Sequence, residues 1–146
     1  MNKKKNNKGF TLVELIVVMA IMAILIGALA PQVVKYVEKA RESKDVQLEQ
    51  TLFTAVQTAI NSSQDAVPDI TASKLDALTA TGANATVAKI GAEVKELMGS
   101  ALDTDTEITA KCKSKKGSDT AGIVITYTAS TGSISVKLGT LDPITN

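Results

Sequence analysis

From Leu15 to Val34 the chain passes through 20 residues without a charge, and Gln32 is the one strongly polar side chain among them. Wound as a helix, such a stretch measures about 30 Å, the thickness of the hydrocarbon core of a bilayer. After Val34 the pattern turns periodic. Tyr36-Val37, Ala40, Gln47-Leu48, Thr51-Leu52, Ala55-Val56 and Ala59-Ile60 recur at three-to-four spacing. Lys35, Glu38, Lys39, Arg41, Glu42, Lys44, Asp45 and Glu49 fill most other positions, several with an opposite charge at helical spacing. The economical reading is one helix from about Phe10 to about Asn61. Its first half is apolar all round, and its second half is apolar on one stripe that the rest of the chain should cover. Gly27 and Pro31 interrupt it, because proline removes a backbone donor and crowds the preceding turn while glycine loosens it. A kink is expected there.

Beyond Asn61 the patterning shortens. Ser62–Asp69 reads as a loop. Ser73 with Asp76 can cap a short helix holding Leu75 and Leu78, which Thr81-Gly82-Ala83-Asn84 breaks. Val87, Ile90, Val94 and Leu97 are spaced for one face of a second helix, about 86–98, ending near Gly99. The period then becomes two. Ile108, Ala110 and Cys112 alternate with polar residues, as do Ile134, Val136 and Leu138; Ile123, Ile125 and Tyr127 alternate with Val124, Thr126 and Thr128. Three half-buried strands are predicted, the first two joined by Ser114–Ala121 and the last two by a tight hairpin at Ser130-Thr131-Gly132. The fold class is therefore α+β. A long N-terminal helix packs on a small C-terminal three-stranded antiparallel sheet, with a short helical region between.

Composition narrows the function. Aromatics make up only 3% of the chain, and Tyr127 is the sole one after Ile60, so the core is modest and the long helix should be essential to it. There is no His, which removes Ser-His-Asp and Cys-His machinery and imidazole metal ligands. A single Cys allows neither a Cys-rich zinc site nor an intrachain disulfide. An enzyme is disfavoured, and no cofactor or metal is expected. The net charge of +1 hides an asymmetry: Lys3, Lys4, Lys5 and Lys8 precede Gly9 with no acid among them, and the remainder carries 12 basic against 15 acidic residues. Bulk attraction of that remainder to nucleic acid is not expected. The lysines place the N-terminus of a membrane-spanning helix in the cytoplasm and the rest of the chain outside.

Two residues do not suit a plain anchor. Glu14 stands one position before the apolar run, where a carboxylate lies near or within the membrane boundary. At the bilayer centre such a charge costs roughly 2.5–3.5 kcal/mol on insertion scales. Either it is interfacial and wet, or it has a cationic partner. No Lys or Arg lies between residues 9 and 34, so the partner would come from another chain or from a newly made N-terminus. Gly9 separates the lysines from Phe10-Thr11-Leu12-Val13-Glu14, giving a protease access to the backbone. An ordinary secretory signal peptide cut after Ala28-Leu29-Ala30 is the competing reading, but Pro31 would then be the first mature residue and Glu14 would go unexplained.

The segment Lys8-Gly9-Phe10-Thr11-Leu12-Val13-Glu14-Leu15 closely resembles the type IV prepilin cleavage motif, and the resemblance covers roughly the first 50 residues. It implies a leader, residues 1–9, cut off between Gly9 and Phe10 by a prepilin peptidase, with Phe10 then N-methylated. It implies a transmembrane and polymerisation helix over 10–34 and a globular head over 35–146. Phe10 and Glu14 become assembly residues, the Phe10 amine of one subunit pairing with Glu14 of its neighbour. Around Gly27 and Pro31 the helices of that family can bend or melt when packed. The implied partners are copies of the same chain in a helical homopolymer, the peptidase, the membrane before assembly, and a pilus assembly platform in the cytoplasmic membrane. The implied end point is an extracellular type IV pilus at the cell surface, a fimbrium of the kind that serves cell adhesion and twitching motility. The alternative is a minor pilin or pseudopilin of a type II secretion or DNA-uptake apparatus.

Three further groups have bland readings beside functional ones. Cys112 is read as a buried, inert thiol, and without a second Cys the C-terminal tail is held by packing alone. Asp103, Asp105 and Glu107 resemble oxygen ligands, but no Gly-bearing calcium loop follows, so a solvated start of a strand is preferred. Lys111, Lys113, Lys115 and Lys116 form a basic patch without interleaved aromatics, a solvated hairpin rather than a contact to DNA. Asn61-Ser62-Ser63 and Asn84-Ala85-Thr86 match short glycosylation sequons.

Overall fold

A computed structural model describes residues 9–80, 83–99, 102, 104–118 and 122–146. The basic leader through Lys8, Thr81-Gly82, Asp103 and the end of the 114–121 linker lie outside the described residues. Two compact units divide between Val37 and Glu38. Helix α1, Leu12–Ser62, contributes to both and contains Gly27 and Pro31 as helical residues.

In the first unit every α1 side chain from Leu12 to Val37 is exposed. The second unit holds the core. From α1 it takes Leu52, Phe53, Ala55, Val56, Ala59 and Ile60, which recur every three to four residues as one stripe. Tyr36, Val37, Ala40, Gln47 and Thr51, placed on that stripe by periodicity, are exposed instead. The stripe also carries inward two residues assigned to the charged positions, Asp45 and Glu49.

After α1 come β1 (Ile70–Ser73), α2 (Leu75–Leu78), α3 (Ala85–Met98), α4 (Asp105–Lys111), β2 (Ile123–Thr128), β3 (Ser133–Leu138) and β4 (Ile144–Thr145). The four strands form an antiparallel sheet in the order β1-β2-β3-β4. Ile125 faces Val136 and Tyr127 faces Ile134 across the β2–β3 pair, whose turn closes at Gly132. Ile123, Ile125, Ile134, Val136 and Leu138 are buried with the α1 stripe, so the alternation read from sequence is the one the sheet uses. The long helix packed on a small antiparallel sheet, with short helices between, is the predicted α+β fold.

The differences are local. The strand expected over 107–113 is α4. Thr104 Oγ1 accepts from the Glu107 amide at 3.2 Å and donates to Glu107 Oε2 at 3.1 Å. This is the Thr-x-x-Glu pattern of a capping box, with the hydroxyl rather than the Thr104 amide as donor to the carboxylate, and it starts a helix. Ile108 and Cys112 are four apart and both buried, while Ala110 between them is exposed, as a helix requires and a strand forbids. The sheet has four strands because β1 and β4 join β2 and β3. On α2 the capping residue is Lys74 without a side-chain cap, not Ser73. Leu75 and Leu78 are buried as expected. α3 runs as predicted to Gly99, but Met98 rather than Leu97 turns inward at its end.

Candidate processing and assembly site

Gly9, Phe10 and Thr11 precede the first helical residue, so the Gly9–Phe10 bond lies in non-helical backbone. Phe10 is 93% exposed. Among the described residues, no atom lies within 4 Å of where a Cβ on Gly9 would stand. Nothing within the described chain therefore demands a glycine at position 9. A helix conceals its backbone behind side chains and hydrogen bonds, and this bond lies outside the helix.

What halts the helix here is Thr11. Its amide donates to Glu14 Oε2 at 2.8 Å, its hydroxyl donates to the same oxygen at 2.9 Å, and the Glu14 amide returns a bond to Thr11 Oγ1 at 3.3 Å. This is a second capping box, Thr-x-x-Glu, satisfying amides that the first turn leaves without partners. The sequence carried that signal, and reading Glu14 only as a charge missed it. Glu14 thus has a role within its own helix, but its charge has no counterpart there. No ion pair among the described residues includes Glu14.

Below this cap, α1 presents Leu12, Val13, Leu15, Ile16, Val17, Val18 and Met19 to the outside, and the apolar run continues to Val34. The helix is long and apolar enough to cross a membrane, and none of the qualifying stretch is buried. An exposed apolar surface of that extent marks an interaction site for a membrane or a protein partner.

The other candidates take structural roles. Asp105 caps α2: its carboxylate accepts from the amides of Leu75 at 3.1 Å and Asp76 at 3.2 Å. Its own amide donates to Asp76 Oδ2 at 3.2 Å, and burial raises its pKa from its ordinary value. Glu107 closes the α4 capping box, and Asp103 lies outside the described residues. The described residues hold no cluster of three potential metal ligands. Cys112 is buried, and its thiol is pushed up to about 11 by burial and by the nearby Asp45 and Glu49 carboxylates. Lys111, Lys113, Lys115 and Lys116 are exposed, but Glu42 lies 3.6 Å from Lys116 Nζ and Glu38 accepts from the Lys115 amide at 2.6 Å. The patch is thus interleaved with acids. Asn84, in one sequon, caps α3 by accepting from the Thr86 amide at 2.9 Å.

Comparison with protein families matches residues 4–30 to the prokaryotic N-terminal methylation motif. The chain carries a prepilin-type methylation motif. It is typical of type IV pilins and pilin-like prepilins, which are structural and not enzymatic. No curated protein and no solved structure matches the chain. The motif implies processing by a prepilin peptidase and assembly into a pilus-like polymer. An exposed apolar helix behind it is consistent with a membrane prepilin that later enters a surface filament.

Proposed function

We propose that this protein is a major-type pilin, the repeating subunit of a type IV pilus. Its leader is removed between Gly9 and Phe10, and Phe10 is N-methylated. The subunit is held in the cytoplasmic membrane by residues 10–34 until an assembly platform there adds it to the fibre. Polymerisation exchanges lipid for neighbouring helices. Copies repeat head-to-tail with a rotation that does not close, which gives a helical filament. Adhesion and twitching motility are functions such a filament would serve.

One observation supports this reading: an apolar stretch of helix exposed from Leu12 to Val34, headed by a carboxylate that makes no ion pair among the described residues. Cleavage creates that cation, the Phe10 amine. In a dry fibre centre an unpaired charge costs several kcal/mol, so pairing Glu14 with a neighbour's Phe10 amine sets the axial register.

The capping box supplies the test. Gln serves in such a box as Glu does, but it carries no charge. Glu14→Gln and Glu14→Ala should both be inserted and cut after Gly9, with heads folded, and both should lose fibres in electron micrographs of the cell surface. Normal fibres from Glu14→Gln with loss in Glu14→Ala would make Glu14 a helix cap and nothing more. Mass spectrometry of sheared surface filaments should find this chain as their bulk, beginning at methylated Phe10. A trace amount there would instead indicate a minor pilin or pseudopilin, and a mature start at Pro31 an ordinary secreted protein.

A further inference from the structure

Four acids on α1, Glu38, Glu42, Asp45 and Glu49, follow one another at spacings of four, three and four, which places them on one face of the helix. Each engages the C-terminal half of the chain. Glu38 Oε1 accepts from the Lys115 amide and Glu42 pairs with Lys116 Nζ. Asp45, 2% exposed, accepts from the amides of Lys113 at 3.0 Å and Ser114 at 2.8 Å and from the Ser114 hydroxyl. Glu49, 0% exposed, accepts from the Leu138 amide of β3 at 2.8 Å.

The fit is close. A Cβ on Gly117 would lie 2.5 Å from Asp45 Oδ2. Gly139 has φ +58°, and a Cβ there would overlap the Lys116 carbonyl, to which the Thr140 amide donates at 2.9 Å. The turn at 114–118 is thus gripped between α1 and the end of β3. The tail is held by polar bonds as well as by packing: the Ile134 amide donates to the Asn146 side chain at 2.7 Å, and β4 pairs with β3.

The two buried acids are not equivalent. Asp45 has three donors, the Lys113 and Ser114 amides and the Ser114 hydroxyl. Glu49 has one donor for two oxygens, and its Oε2 is buried without a hydrogen-bond partner. The charged groups around it are Asp142 beyond β3, Lys137 on β3 and Asp45 one turn back on α1, with the uncharged thiol of Cys112 nearby. A second negative charge here would be poorly compensated, whereas a neutral carboxylic acid keeps the Leu138 bond and buries no charge.

We propose that Glu49 is a proton-held latch: as the neutral acid it fastens β3 to α1, and its ionisation loosens the C-terminal sheet from the helix. Burial raises its pKa from 4.5 to about 7, with Asp142 adding to the rise and the Leu138 amide and Lys137 opposing it. Because the folded state holds the proton more tightly than the unfolded chain, the latch contributes fully below about pH 4.5. Its contribution falls as pH rises through about 7. The head should be tightest in mild acid and loosest above neutrality. The latch stands on the head alone and does not depend on the filament reading.

The test uses the full chain in detergent micelles. The Glu49 carboxyl, followed by carbon NMR, should titrate near neutrality. Between pH 5 and 8.5 its ionisation should raise the head's unfolding constant roughly 100-fold, read as lost protection of the Leu138 amide against hydrogen exchange after correction for intrinsic base catalysis. Glu49→Gln keeps an acceptor for Leu138 and should abolish that component. A Glu49 carboxyl titrating near 4.5 in the unmutated chain overturns the proposal, whether or not the variant folds. Parallel pH profiles for the two chains overturn it equally.

Discussion

The two ends of α1 are built from similar apolar residues and meet opposite fates. Between Leu12 and Val34 nothing is buried, although the side chains are Leu, Ile, Val, Met and Ala almost throughout. Between Asp45 and Ile60 eight residues are buried, and two of them are acids. Apolar content does not decide which surface a chain covers for itself. The first stretch is apolar on every side, and none of the described residues encloses it. The second is apolar on one side, and a small sheet and three short helices suffice. Completion of the first stretch has to come from outside the chain, which is the physical reason to expect a membrane and then a polymer.

Deleting the first stretch is the most drastic way to break the comparison. Residues 36–146 alone should be soluble and monomeric by light scattering, because the surface that needs covering ends at Val34. The head's core lies wholly within the second unit, so its fold should persist. Filaments formed by this fragment would show that heads, not helices, drive assembly.

A pair of identical substitutions sharpens the contrast. Leu52 is fully buried and Leu25 is exposed. Leu52→Ala should lower the stability of the head by about 2–5 kcal/mol, the usual range for a core leucine. Leu25→Ala should change it by less than about 0.5 kcal/mol. Denaturant unfolding of the full chain in detergent, followed by the near-ultraviolet signal of Tyr127, measures both. A Leu25→Ala head as unstable as the Leu52→Ala head would mean that the two stretches fold as one unit.

How much of this was legible in the sequence depended on distance along the chain. The processing segment is local: lysines, Gly9, Phe10, Glu14 and the apolar run occur within a few turns, so their order could be read directly. The β2–β3 hairpin and α3 are local too, with Gly132 and Gly99 marking their ends. Asp45 and Glu49 were misassigned because their partners, Ser114 and Leu138, lie 69 and 89 residues away. Nothing near them distinguishes an acid that will meet buried amides from one that will meet water. β1 and β4 are four and two residues long, too short for alternation to register. Over 107–113 two periods competed: Ile108 and Cys112 satisfy both a strand's alternation and a helix's four-residue repeat. Thr104 and Glu107 would have resolved it, since a capping box announces a helix and has no meaning at the start of a strand.

The same motif provides the finest test, because it occurs once in each region. Thr11-x-x-Glu14 caps the exposed stretch of α1, and Thr104-x-x-Glu107 caps α4 within the head. Losing the threonine hydroxyl removes the acceptor for one first-turn amide, at a typical cost of about 1 kcal/mol. In the head that cost falls on a helix whose Ile108 is fully buried, so fraying α4 also disturbs the core. Thr104→Ala should therefore reduce head stability by about 1 kcal/mol in denaturant unfolding, while Thr104→Ser, which keeps the hydroxyl, should restore most of it. Thr11→Ala removes an equivalent bond, but from a helix start that no described residue packs against. Its head should unfold as the unmutated chain does, and its effect should appear only as faster hydrogen exchange at the amides of residues 11–14. Equal loss of head stability from the two substitutions would show that order at the helix start is transmitted along α1 into the head.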